Sequence, residues 1–136
     1  MAGPVRVIPA PPASSLSVPD EIRWGAWRIA ASARASQAVD EAGLWEAVLD
    51  ADRVGSPLTV RGRRPGDRFQ PLGMRQLAKL QDVLVNARVP RTERDAWPLI
   101  EGPGGIVWVP GIRIAEPAKV TDATRRVLLL TAERAG

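Results

Sequence analysis

Apolar and polar residues alternate most regularly from Leu58 to Arg64. Leu58 and Val60 fall on one side and Thr59, Arg61 and Arg63 on the other, which predicts a strand with a basic face. Arg64-Pro65-Gly66-Asp67 ends it, since Pro65 fixes φ and Gly66 permits a tight turn, and a loop follows to Met74. The period then changes. At about 100° per residue, Leu77, Leu80, Val83, Leu84 and Ala87 share one arc of about 120°, with Arg75, Lys79, Asp82 and Asn86 opposite. This predicts an amphipathic helix over 76–88, stopped by Pro90.

Two hairpins flank this region. Ile22 to Ala33 gives two short segments around Gly25, with Trp24 and Trp27 on either side. Further on, 97–101 and 105–109 read as strands joined across Gly102-Pro103-Gly104, with Trp97 and Trp108 as core or cross-strand aromatics. Residues 124–132 read as a last, largely buried strand. Asp40 to Val54 stays open between a helix and a strand leading into a turn. Residues 1–19, with five prolines, are expected to be a Pro-rich linker or arm, leaving 20–136 as a single domain. Antiparallel pairings and one main helix make the class α+β, with a β-rich, mostly antiparallel core.

Composition narrows the chemistry. The 136 residues contain no cysteine, histidine or tyrosine. Disulfides, thiolate metal sites and any Ser-His or Cys-His nucleophile are thereby excluded, along with the usual general base near neutral pH. No catalytic residue and no metal site is assigned. Asp50 and Asp52 have no third ligand nearby and are expected to form a turn and an ion pair with Arg53. The segment "EGPGG" joins two strands and opens no helix, so it is not a phosphate-binding loop. No apolar run approaches the roughly 18 residues of a membrane span, and a cytoplasmic, membrane-free location is expected.

Charge changes the picture most. The formal net charge is +4. Between Thr59 and Arg94 nine basic residues face three acids, so this window carries +6 and the remainder −2. A localised anion-binding face follows, with Arg61, Arg63, Arg64, Arg68, Arg75 and Lys79 as its core and Arg88 and Arg113 as outer candidates. A solvated charged face is the bland alternative, and periodicity leaves the two level. Pro65, Gly66 and Asp67 are assigned as the structural turn. For Asp67, capping that turn is favoured over orienting an arginine or binding ribose.

The order of blocks then adds a resemblance. "LTVRGRRPGDRFQPLGM", "KLQDVLVNARVPRTERDAWPLI", "IVWVPGIRI" and "KVTDATRRVLLL" resemble, over about 49–130, the C-terminal domain of bacterial tRNA(Ile)-lysidine synthetases. The resemblance implies a sandwich-like α/β domain shared with the phenylalanyl-tRNA synthetase β chain. It implies a grip on the isoleucine tRNA towards its acceptor stem. It further implies a larger ligase that uses ATP to join lysine to the wobble cytidine of the anticodon, with catalysis in an N-terminal PP-loop domain marked by S-G-G-x-D-S. That motif is not in this sequence. The chain by itself is therefore expected to be inactive and to need no cofactor, with the PP-loop domain as partner in cis or in trans. Homo-oligomerisation through the full-length enzyme stays open. Gln76 stands where the family often has glycine, Ala78 at a lysine, and Val83-Leu84 at aromatics. These departures imply weaker phosphate affinity than in Lys-rich relatives. The alternative is a protein-interaction module, its arginines docking a separately encoded catalytic subunit or another acidic partner.

Overall fold

The computed structural model describes residues 6–35 and 42–135. Among the described residues eleven strands are formed: β1 (Ser14–Leu16), β2 (Asp20–Trp24), β3 (Trp27–Ala35), β4 (Glu46–Asp50), β5 (Leu58–Arg61), β6 (Arg68–Phe69), β7 (Ala78–Lys79), β8 (Leu99–Gly102), β9 (Gly105–Val109), β10 (Arg113–Ile114) and β11 (Arg126–Arg134). Two short helices, α1 (Ala51–Val54) and α2 (Leu80–Asn86), interrupt them. One sheet runs β1-β5-β8-β9-β10, a second β2-β3-β11-β4, and β6 and β7 form a separate ribbon. The strand pairs are antiparallel. Among the described residues no helix is long and apolar enough to cross a membrane.

The two sheets share one hydrophobic core. Leu16, Val60, Leu99, Ile100 and Trp108 come from the first sheet, and Ile29, Leu49 and Leu130 from the second. β11 lies between β3 and β4; Leu128, Leu130 and Ala132 face the shared core, and Val127, on the opposite face, is buried as well. Both expected hairpins form. Gly25, with φ 58°, occupies the first central position of the β2–β3 turn, where a type II′ turn demands positive φ. In the other hairpin the turn is Pro103-Gly104. Gly102 belongs to β8, where a Cβ would lie 2.5 Å from the Val54 carbonyl oxygen. Trp97 and Trp108 are both core residues, and the Trp97 indole donates to the Pro110 carbonyl at 3.0 Å.

Three expectations need correction. The Pro-rich stretch is not a free linker from Arg6 onward. Ser14–Leu16 pairs with β5, Leu16 is buried, and the Pro12 carbonyl accepts from the Trp24 indole at 2.9 Å. A boundary at residue 19 therefore cuts through the first sheet; residues 1–5 lie outside the described part. The helix expected over 76–88 spans only Leu80–Asn86, because Ala78 and Lys79 pair with β6 instead. Leu77 is left exposed outside the helix, and Ala87 is exposed at its end. Pro90 is not its stop. Arg88 adopts φ 59°, and the Val89 and Arg88 amides donate to the Leu84 and Val85 carbonyls, a Schellman closure.

The open segment before Val54 resolves into β4 followed by α1; Asp40 and Glu41 lie outside the described residues. Asp50 caps α1 by accepting from the Asp52 and Arg53 amides at 3.0 and 3.1 Å, and the Thr124 hydroxyl donates to it at 2.8 Å. Arg53 lies 3.9 Å away, so the expected turn and ion pair are both present.

Candidate nucleic-acid interface

The basic segment is organised around a buried arginine. Arg61 ends β5, where its backbone pairs with Leu99, and it is only 4% exposed. Its guanidinium donates to both oxygens of Asp67, at 3.0 and 2.9 Å, and through Nε to Glu101 at 3.0 Å. Nη1 also donates to the Gly62 carbonyl at 2.9 Å. A buried charge is tolerated when every donor finds an acceptor, and this bidentate geometry supplies the acceptors. Burial pulls the Arg61 pKa down, but the hydrogen bonds and charges of Asp67 and Glu101 outweigh it and leave it raised. Arg61 therefore does not lie on an exposed basic face, as strict alternation would place it. It braces that face from beneath.

Asp67 does two things at once. Its Oδ2 accepts from the Arg64 amide at 2.7 Å, capping the turn, while both oxygens hold Arg61. The turn is of type II: the Asp67 amide donates to the Arg64 carbonyl at 3.2 Å, and Gly66 has φ 82°. Burial pushes the Asp67 carboxyl up, yet the bonds from Arg61 and the Arg64 amide, with both arginine charges, hold it below the usual carboxylate range. Capping and orienting an arginine are thus one arrangement. The Asp67 carbonyl then accepts from the Leu80 amide at 3.0 Å, fastening the turn to the start of α2.

Around this brace lies an open groove of about 620 Å³, lined by Arg63, Arg64, Arg68 and Lys79 together with Gln81 and Asp95. Arg68 and Lys79 are directly opposite across the β6–β7 ribbon, so both side chains leave on one face, while Phe69 is buried. Like charges in that register repel, and an anion placed between them removes the repulsion. Among the described residues, Arg64, Arg68 and Lys79 form no side-chain ion pair, and all three are exposed. Arg63 is different, because its Nε donates to Asp95 at 2.8 Å.

The structure therefore brings four of the eight candidate cations together. Arg75 is exposed in the loop before β7, Arg88 closes α2, and Arg113 is exposed on β10, where Nη1 lies 3.4 Å from the Leu72 carbonyl. These three do not line the groove. Neither spacing nor periodicity singles out Asp95 or Glu101. Asp95 follows directly on the +6 window, but a charge count does not say which arginine it pairs with. Nor does any local pattern mark Gly62, where a Cβ would meet the Asp95 carbonyl oxygen at 2.7 Å and Ala10 Cβ at 2.8 Å. No three acidic side chains gather among the described residues as a metal site requires.

Comparison with known proteins fits this geometry. Residues 58–130, more than half of the chain, match the family described as the TilS substrate C-terminal domain. The tRNA(Ile)-lysidine synthase of Symbiobacterium thermophilum is 46% identical over 86 residues, covering 63% of this chain and 18% of that protein. The enzyme of the same name from Clostridium acetobutylicum is 41% identical over 86 residues, covering 63% and 19%. The chain thus spans less than a fifth of the length of these relatives. A crystal structure of a TilS C-terminal domain superposes with TM-score 0.80 at 30% identity, over 92% of this chain and 99% of the other. An N-terminal fragment of the phenylalanyl-tRNA synthetase β subunit from Pyrococcus horikoshii shares the fold at TM-score 0.55 and 20% identity, over 64% and 27%. With the family match spanning the residues that line the groove and the fold matched over nearly the whole chain, the protein belongs to the TilS C-terminal domain family.

Proposed function

We propose that this chain is a tRNA-binding domain of a cytoplasmic tRNA(Ile)-lysidine synthase, holding the isoleucine tRNA on its acceptor-stem side. In that enzyme ATP activates the wobble cytidine and lysine is joined to it by a separate PP-loop domain; this chain contributes grip, not chemistry. One observation carries the reading: Arg64, Arg68 and Lys79, exposed and forming no ion pair among the described residues, converge on one groove above a fully satisfied Arg61–Asp67 brace. Cations held on a rigid turn and ribbon suit successive phosphates, whose neutralisation releases counterions. Duplex RNA is recognised largely through shape and backbone, so little sequence preference is expected from the groove. Arg61 is a positioning residue in this account and touches no phosphate.

Titration of tRNA at rising salt tests the proposal. Affinity should fall log–log with a slope of several units, and Arg68→Ala should reduce that slope by about one. A slope near zero, or no binding at low salt, refutes it.

A second reading draws on a different observation. Leu44 and Trp45 are 65% and 43% exposed beside β4, an edge of the second sheet. An apolar edge of this kind suits docking against the rest of a longer enzyme. That reading expects the chain to co-purify with a PP-loop domain and to bind tRNA only in the complex.

A further inference from the structure

A second recess lies along α2 from the basic groove. Leu80 and Gln81, in the first turn of α2, line the groove; Val83 and Asn86 line a slot of about 280 Å³ with Pro71, Met74, Ile112 and Arg113. From Leu80 to Asn86 the helix rises about 9 Å, roughly three steps of a stacked strand at about 3.4 Å each. The slot's walls are apolar, while its polar groups are one amide and one guanidinium. The Asn86 side chain makes no hydrogen bond among the described residues and is exposed at the mouth.

The wall opposite α2 is rigid. Met74 donates its amide to the Pro71 carbonyl at 3.0 Å, with Gly73 at φ 85°, closing a type II turn. The Leu72 amide donates to Ile114 at 3.0 Å, and the Gln70 side-chain amide to the Met74 carbonyl at 2.6 Å. Yet Leu72 and Met74 remain 39% and 44% exposed. A turn this firmly held, presenting a soft thioether beside a proline and an isoleucine, offers a flat apolar solute a preformed surface. Arg113 stands at the slot itself; on the flanking loop and helix Arg75 and Arg88 are exposed against the single acid Asp82, and Glu116, beside the Gly73 amide, is paired with Lys119. An acidic protein segment would match the charge but would leave the amide and the narrow apolar slot unused.

Resting on the RNA-binding reading, we infer that this slot receives an unpaired nucleobase of the bound RNA, stacked between the Pro71–Met74 turn and α2. Asn86 reads its edge and Arg113 meets the adjoining phosphate. A side-chain amide offers a donor and an acceptor side by side, the match for the N6 and N7 edge of adenine.

The test compares a hairpin RNA that carries a short single-stranded 3′ extension ending in adenine with the same hairpin ending flush. The extended hairpin should bind about ten-fold more tightly, equivalent to about 1.4 kcal/mol. Asn86→Ala and a slot-filling Ala87→Leu, Ala87 also lining the slot, should each erase most of that advantage while leaving the flush hairpin unaffected, whereas Lys79→Ala should weaken both RNAs alike. Both slot positions are exposed, and unchanged urea melts establish that these variants fold. Equal affinity for the two hairpins, or slot variants that weaken both equally, overturns the inference while the groove reading stands. Failure of both RNAs to bind at low salt overturns the groove reading itself. Slot variants that spare both RNAs but abolish binding to a PP-loop domain make the slot a protein contact, and also overturn the inference.

Discussion

Replacing Asp67 by Asn strikes the brace with the smallest change of shape. The carboxylate accepts two hydrogen bonds from Arg61 and one from the Arg64 amide. An Asn side chain keeps one acceptor and points an N–H₂ group towards donors. Breaking a buried ion pair from one side costs about 3–5 kcal/mol, because the remaining charge is left uncompensated. Here Glu101 still holds Arg61, at 2.9 Å, and its side chain is 26% exposed, so the loss belongs near the lower end, about 3 kcal/mol. For a chain of this size that lowers Tm by about 10 °C. Urea unfolding at neutral pH measures it, with an unchanged slope certifying that only stability has moved. An Arg61→Met, Asp67→Asn double variant completes the cycle and should show a coupling of about 2 kcal/mol. A loss below about 1 kcal/mol, or additive single effects, would refute the brace and reduce the pair to a surface contact.

Other outcomes follow from the same structure. Both Asp67 and Asp50 sit below their ordinary value of 3.8, for Asp50 because bonds from Thr124 and the Arg53 and Asp52 amides outweigh the upward push of burial. Their contribution is fully present above the unfolded value and is lost as pH falls through the folded ones. Stability measured by urea melts should therefore decline below about pH 4, and the gap between wild type and Asp67→Asn should narrow over the same range. Gly62→Ala should destabilise by about 1–3 kcal/mol, since the new methyl meets the Asp95 backbone rather than a side chain free to swing away; an unchanged urea midpoint would contradict this. Arg88→Gly should raise stability by about 0.5–1 kcal/mol, relieving a non-glycine residue at φ 59°, and thermal melts would register it as a Tm a few degrees higher.

Local rules were enough for some of the site and not for the rest. The "RPGD" turn, the Gly25 hairpin and strand β5 depend on residues within a few positions of one another, so propensity and spacing expose them. Arg61 defeats alternation, which assumes that a polar side chain points to water. One partner, Asp67, lies 6 residues on in the turn, but Glu101 lies 40 residues away, and that second acceptor is invisible to any local window. Helix α2 is shorter than its pattern for a related reason. The pattern at Leu77 and Ala78 is helical, but pairing with β6 takes Ala78 and Lys79 into a ribbon. The same pairing sets Arg68 and Lys79 side by side, which no periodicity in either segment foretells.

By itself, the sequence determined the β-rich class, the hairpins, the turn at Pro65-Gly66, the concentration of positive charge and, through the order of its motifs, the family. Those are properties of spacing, sign and block order, all written along one dimension. The tertiary structure decided which cations are free. It buried Arg61 under Asp67 and Glu101, paired Arg63 with Asp95, and left Arg64, Arg68 and Lys79 around one groove. A charge becomes available to a ligand only when nothing nearby has already neutralised it, and what lies nearby is set by folding.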